Sequence, residues 1–182
     1  ENYHVTMETA HFTGERVDPK EAAEVAHFLW ERTWIIDDYL AGTELSEEKR
    51  EIILSWKRCI SGTFIIERHL KKGSVFISDD SDSVYLVNGI ISSWEEMFSG
   101  IPTPMLIKAT LLSFRDIIIS DGLVSVFPVH FGKNMTAEFK NSYMTAKNNK
   151  TIAAASVTEE IIRAVLFSFT RRLSSSLPSS RL

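Results

Sequence analysis

The sequence predicts an α+β fold in which an antiparallel, meander-like sheet packs against helices from both ends of the chain. Three observations predict it. Apolar residues recur three and four apart near both termini, as helices require. Through the middle they alternate or run together in short β-branched and aromatic stretches. Short, turn-rich connectors separate those stretches, so consecutive strands have no room for the crossover helices of a parallel sheet.

The 182 residues fit one domain with a helical appendage, and a hydrophobic fraction of 44% supplies one sizeable core. A net charge of -4 argues against broad nucleic-acid binding, which needs many phosphate-neutralising cations. The single cysteine, Cys59, rules out an intramolecular disulfide and a multi-Cys zinc site, and reads as a small buried hydrophobe. No apolar run approaches the ~18 residues of a membrane span, and ENYHVTMETA has no leader-peptide pattern. The default setting is cytoplasmic.

Residues 1–17 read as an arm and 18–150 as the α+β core. Asp18-Pro19-Lys20-Glu21 opens a helix, with Asp18 as cap and Pro19 suited to the first turn. The stripe Ala22, Val25, Ala26, Leu29, Thr33, Ile36, Leu40 carries it to Gly42. Ser46 starts a second helix with Glu47 and Glu48 in its first turn, a buried face of Ile52, Ile53, Trp56 and Ile60, and a stop at Gly62. Strands follow over 63–69, 74–77 and 84–87, the first two joined around Lys71-Lys72-Gly73. Ser93-Trp94-Glu95-Glu96 is a capping box for a short helix. Strands over 106–114, 117–120 and 123–129 follow, with Asp121-Gly122 read as a two-residue hairpin turn. Met135, Phe139, Tyr143 and Ala146 mark another helix, stopped at Asn148-Asn149. The segment 151–173 reads as a C-terminal helix expected to meet the N-terminal ones, and 174–182 as a loose tail.

Each site candidate has a plain structural reading beside the functional one. Asp121-Gly122 is explained by the bend it makes. Asp79, Asp80 and Asp82 form an acidic turn. Asp80 and Asp82 are weak metal candidates, because the turn lacks the central Gly and closing Glu of a calcium loop. Glu67, Arg68 and His69 offer an acid/base pair beside a cation. Strand alternation puts Glu67 and His69 on one face and Ile66, Arg68 and Leu70 on the other. The plain reading is a charged surface strand, since no HxxxH or HExxH spacing occurs. Arg68, Lys71 and Lys72 are candidates for contacting phosphate or an acidic partner. Trp56 and Trp94 read as core, whereas Trp30 and Trp34, one turn apart beside the stripe, face the sheet or a partner. No GxSxG, Walker loop or GxGxxG occurs, and no cofactor is indicated.

Trp56-Lys57, the strand from Phe64 to Leu70, Val84-Tyr85-Leu86-Val87-Asn88-Gly89, and the run from Leu111 through Phe114 to Ile117-Ile118-Ile119-Ser120-Asp121-Gly122 resemble a group of uncharacterised bacterial proteins. These share a tryptophan helix, a strand hairpin and a leucine-rich strand ending in Asp-Gly. The likeness covers about half the chain and implies a bacterial or mobile-element origin, without an activity or catalytic residues.

Two functional classes follow. The leading expectation is a non-catalytic protein-interaction module. It would bind a protein partner or self-associate through Ile161, Val165 and Phe169, whose helix carries apolar residues on more than one face. The competing class is an enzyme acting on a phosphate-bearing or nucleic-acid substrate through Arg68, His69 and nearby carboxylates.

Overall fold

The computed structural model describes residues 19–81 and 83–153. The arm, Asp18, Asp82, the expected helix with Ile161, Val165 and Phe169, and the tail lie outside the described residues. The elements are α1 (Pro19–Glu31), α2 (Ile35–Gly42), α3 (Glu47–Ser55), a 3-10 turn (Trp56–Arg58), β1 (Ile60–Leu70), β2 (Gly73–Ser78), β3 (Val84–Val87), α4 (Trp94–Met97), β4 (Met105–Phe114), β5 (Ile117–Ser120), β6 (Ser125–Phe127) and α5 (Lys133–Asn149).

The fold is α+β, but its six-stranded sheet is mixed rather than an antiparallel meander. The order is β1-β2-β3-β5-β4-β6, and β1 also pairs with β4. That extra pairing closes β1, β2, β3, β5 and β4 into a ring, a small Greek-key barrel. β1 can serve two neighbours because it is long. Ile60–Ile66 pair with Leu111–Met105 of β4, and Phe64–Leu70 pair with Ser78–Gly73 of β2. The consecutive strands that pair, β1 with β2, β2 with β3 and β4 with β5, are antiparallel, as their short connectors dictate. The parallel contact, Val87 with Ile118, joins β3 to β5, which are not consecutive in the chain, so connector length says nothing about their direction.

Alternation sorts the barrel residues into inside and outside. Phe64, Ile66, Phe76, Tyr85, Val87, Ile107, Ala109, Leu111 and Ile118 fill the interior, with Trp94 of α4 against Phe76 at 5.0 Å between ring centroids. The capping box of α4 is complete: Ser93 Oγ accepts from the Glu96 amide, and the Glu96 carboxylate accepts from the Ser93 amide.

The outer residues Ile65, Val75, Ile77 and Val84 lie under α5, whose Phe139, Tyr143 and Ala146 are buried against them. The N-terminal helices approach a different outer face, that of β4, so they and α5 do not share one layer. They pack more loosely: α2 buries Ile36 and Leu40, and α3 has no fully buried residue.

Four local readings need correction. The first helix breaks at Arg32-Thr33-Trp34, where Arg32 and Ile35 make three-residue turn bonds and the β-branched Thr33, Ile35 and Ile36 disfavour continuation. The second helix stops before Cys59, and Ile60 and Gly62 already belong to β1. A bulge between Ile66 and Arg68 reverses the parity of β1, so Ile66 pairs with Phe76 inside the barrel while Arg68 pairs with Val75 under α5. Ile66 and Arg68 therefore do not share a face.

The fourth concerns Asp121-Gly122, which is not a hairpin turn. The hairpin is at Arg115-Asp116, with Arg115 at φ 53°, because Phe114 pairs with Ile117. β5 and β6 both pair with the same edge of β4, and Asp121–Val124 bulge out between the Leu111–Ser120 and Lys108–Ser125 pairs. Gly122, at φ 84°, supplies the left-handed backbone that the bulge needs.

Candidate functional site: an apolar cleft above Asp121

Toward the β4–β5 hairpin the outward residues are as apolar as the inward ones. Leu112, Phe114, Ile117 and Ile119 form a wall that the N-terminal helices roof without sealing. Between wall and roof lies a cleft of about 850 Å³. The roof contributes Leu29 and Trp30 from α1, Ile35, Ile36 and Tyr39 from α2, Ile53 from α3 and Trp56 from the 3-10 turn. Gly89 and the exposed Ile90, which follow β3, stand at one margin.

Trp56 is fixed by its indole, which donates to the Ser113 carbonyl at 3.0 Å, beside the Ser55 hydroxyl on the same oxygen at 3.3 Å. One exposed ion pair lies within the roof and another joins it to the β4–β5 hairpin. Lys57 bonds Asp37 at 2.6 Å, and Arg115 bonds Glu48 at 2.5 Å.

The polar end of the cleft is Ser120-Asp121. The bulge turns Asp121 inward, toward α1. Its Oδ2 accepts from the Trp30 indole at 2.8 Å and its Oδ1 from the Leu123 amide at 3.1 Å, a local Asx turn. Burial pushes its pKa up, partly offset by those hydrogen bonds. Tyr39 and Asp121 are the titratable side chains among the described residues that line the cleft. Both oxygens of the carboxylate are engaged, and no Lys or His of the described residues lines the cleft beside it. The arrangement therefore suits binding and orientation better than proton transfer.

Of the residues singled out in the sequence, Trp30 and Asp121 belong to this cleft, as does Trp56, expected in the core and only half-buried. Trp34 is 50% exposed just before α2 and is not part of the lining. Lys71 and Lys72 are exposed at the β1–β2 turn, where the Lys72 carbonyl accepts from Asn88 at 2.8 Å. Arg68 is held by the Glu67 carboxylate and lies 4.5 Å over the Tyr143 ring; the Glu67 hydrogen bond raises its pKa. His69 Nδ1 lies 2.7 Å from Ser74 Oγ, its pKa lowered by burial. Since Arg68 pairs with Val75 and His69 with Ser74, the two side chains project to opposite faces. Asp80 accepts from the Ser78 hydroxyl, and Asp82 lies outside the described residues. Among the described residues no three His, Cys, Asp or Glu side chains gather as a metal site would require.

Sequence reasoning missed Asp121 as a buried acid and the β4–β5 outer wall as a binding surface. The available signal was the composition of 111–119, where residues of both parities are apolar. A strand with a solvated face alternates instead.

No family model, curated protein or solved structure matches the chain. No helix among the described residues is long and apolar enough to cross a membrane.

Proposed function

We propose that this protein is a non-catalytic interaction module that takes an apolar segment of a protein partner into the cleft between its N-terminal helices and the β4–β5 wall. The observation that carries the reading is the cleft itself: about 850 Å³, lined by aliphatic and aromatic side chains, with one half-buried carboxylate at its end. Trp30 and Tyr39 supply the large aromatic surfaces that concentrate binding energy at protein interfaces.

The enzyme reading has less support. Arg68 and His69 project to opposite faces of β1, and the Arg68 guanidinium is occupied by Glu67 and Tyr143. Barrels of this general kind that bind oligonucleotides do so across strands 2 and 3. Here the outward residues Val75, Ile77 and Val84 of those strands lie under α5. A bacterial cytoplasmic setting belongs to this proposal as its working context.

The test is affinity capture from the native host with the wild-type chain, Ile117→Glu and His69→Ala, with circular dichroism confirming the fold of each. The module reading expects a specific partner that Ile117→Glu loses and His69→Ala retains. Turnover of a phosphate ester that His69→Ala abolishes, with the fold intact, would overturn it.

A further inference from the structure

We infer that the cleft has a resident occupant within this chain: the segment 157–173, folded back in cis to compete with the partner. The inference rests on the reading of the cleft as a partner site and adds its regulation.

The first observation is the path of the chain at Ala153, which is stitched to β3 as a parallel bridge to Tyr85. Its amide donates to the Val84 carbonyl at 2.9 Å, and its carbonyl accepts from the Leu86 amide at 2.8 Å. It uses the edge of β3 that β5 leaves free, since β5 engages that edge only at Val87. A parallel strand runs the same way as its neighbour. At Ala153 the described chain therefore runs in the direction of the end of β3, where Gly89 and Ile90 form the cleft margin.

The second observation is the length and pattern of residues 157–173. They carry Ile161, Val165 and Phe169 on one face, with Ile162 and Leu166 beside them. As a helix the segment is about 25 Å long, with a stripe of large aliphatic and aromatic side chains that needs an apolar surface. Among the described residues, the cleft is the apolar surface beside the exit point: β5 contributes Ile117 and Ile119 to its wall, directly past Val87. α5 already covers the other outer face.

The test is hydrogen exchange on the full 182-residue chain, comparing wild type with Val165→Asp/Phe169→Asp and with Arg171→Asp on the side opposite the stripe. Peptides spanning 29–39 and 112–119 should exchange about tenfold faster in the double variant, the factor given by losing ~1.4 kcal/mol of local protection. Fluorescence of anilinonaphthalene sulfonate, the probe for an open cleft, should rise in parallel. Peptides over 139–146 should not change, and Arg171→Asp should behave as wild type. Unchanged exchange at the cleft overturns the inference, as does equal deprotection of 139–146 in both the Asp pair and a milder Val165→Ser/Phe169→Ser pair. Cleft protection that grows with protein concentration, alongside a dimer mass in light scattering, replaces docking in cis by docking on a second copy. None of these outcomes touches the Ile117→Glu capture result, so the two readings fail separately.

Discussion

The barrel has two apolar outer faces, and they are finished differently. Over β1–β3, α5 seats Phe139, Tyr143 and Ala146 on Ile65, Val75, Ile77 and Val84, and Phe131 closes on Phe139 at 5.0 Å in a T-shaped pair. Over β4–β5, three short helical pieces leave a gap, and Ile117 and Phe114 keep 37% and 36% of their surface. The chemistry of the two strand surfaces is alike; the covers differ. One 17-residue helix presents a continuous stripe. A roof broken at Arg32–Trp34 presents several short ones that do not mesh. This open apolar surface beside a well-packed one is the contrast on which the proposed partner site rests.

The contrast is tested first by truncation on each side. Phe139→Ala should cost about 3–5 kcal/mol, as buried aromatic deletions do, whereas Ile117→Ala should cost about 1 kcal/mol or less. Denaturant titration of both variants measures this, and equal losses would abolish the distinction between a closed and an open face.

The next effect is local to the bulge. Gly122 sits at φ 84° with open space for 4 Å around the position a Cβ would take, so Gly122→Val meets backbone strain without a clash. About 1–2 kcal/mol is expected, and Gly122→Asn should recover much of it. Thermal stability unchanged in the valine variant would count against the bulge geometry.

A subtler effect follows pH. Burial raises the Asp121 pKa, so the folded state holds that proton more tightly than the unfolded chain does. The associated stability is fully present below an ordinary aspartate pKa and is lost as pH rises through the folded value. Asp121→Asn keeps an acceptor for Trp30 and removes this decline. The melting temperature of the variant relative to wild type should therefore climb from acid toward neutral pH, and a flat difference would contradict a desolvated carboxylate.

The smallest effect belongs to the roof. Glu48→Ala breaks an exposed pair with Arg115 and should cost under ~1 kcal/mol, less in high salt. A larger loss would mean that the roof is clamped more firmly than its packing implies.

Much of the local structure was legible because its signals are short-range. The Ser93–Glu96 box, all six strands and the Phe139, Tyr143, Ala146 stripe need only neighbours in sequence. The features that escaped depend on partners far along the chain. The face of Arg68 is set by a bulge that appears only when β1 is matched against β2. The parallel β3–β5 contact follows from β4 returning to β1, which no connector length encodes. Asp121-Gly122 carries the chemistry of a tight turn, but the register of β4 with β5 and β6 makes it a bulge, and only the position of Trp30 turns its carboxylate into a buried group.

The stitch of Ala153 to β3 also orders events in time. β3 and Ala153 are far apart in sequence, and during synthesis the ribosome releases Ala153 only after α5 has emerged. The seam beside β5 therefore stays unpaired at least until Ala153 has emerged. Contacts of such high contact order place the protein among slower-folding architectures, on a scale of roughly milliseconds to seconds. In that interval the free edge of β3 is the surface most exposed to pairing with another nascent chain.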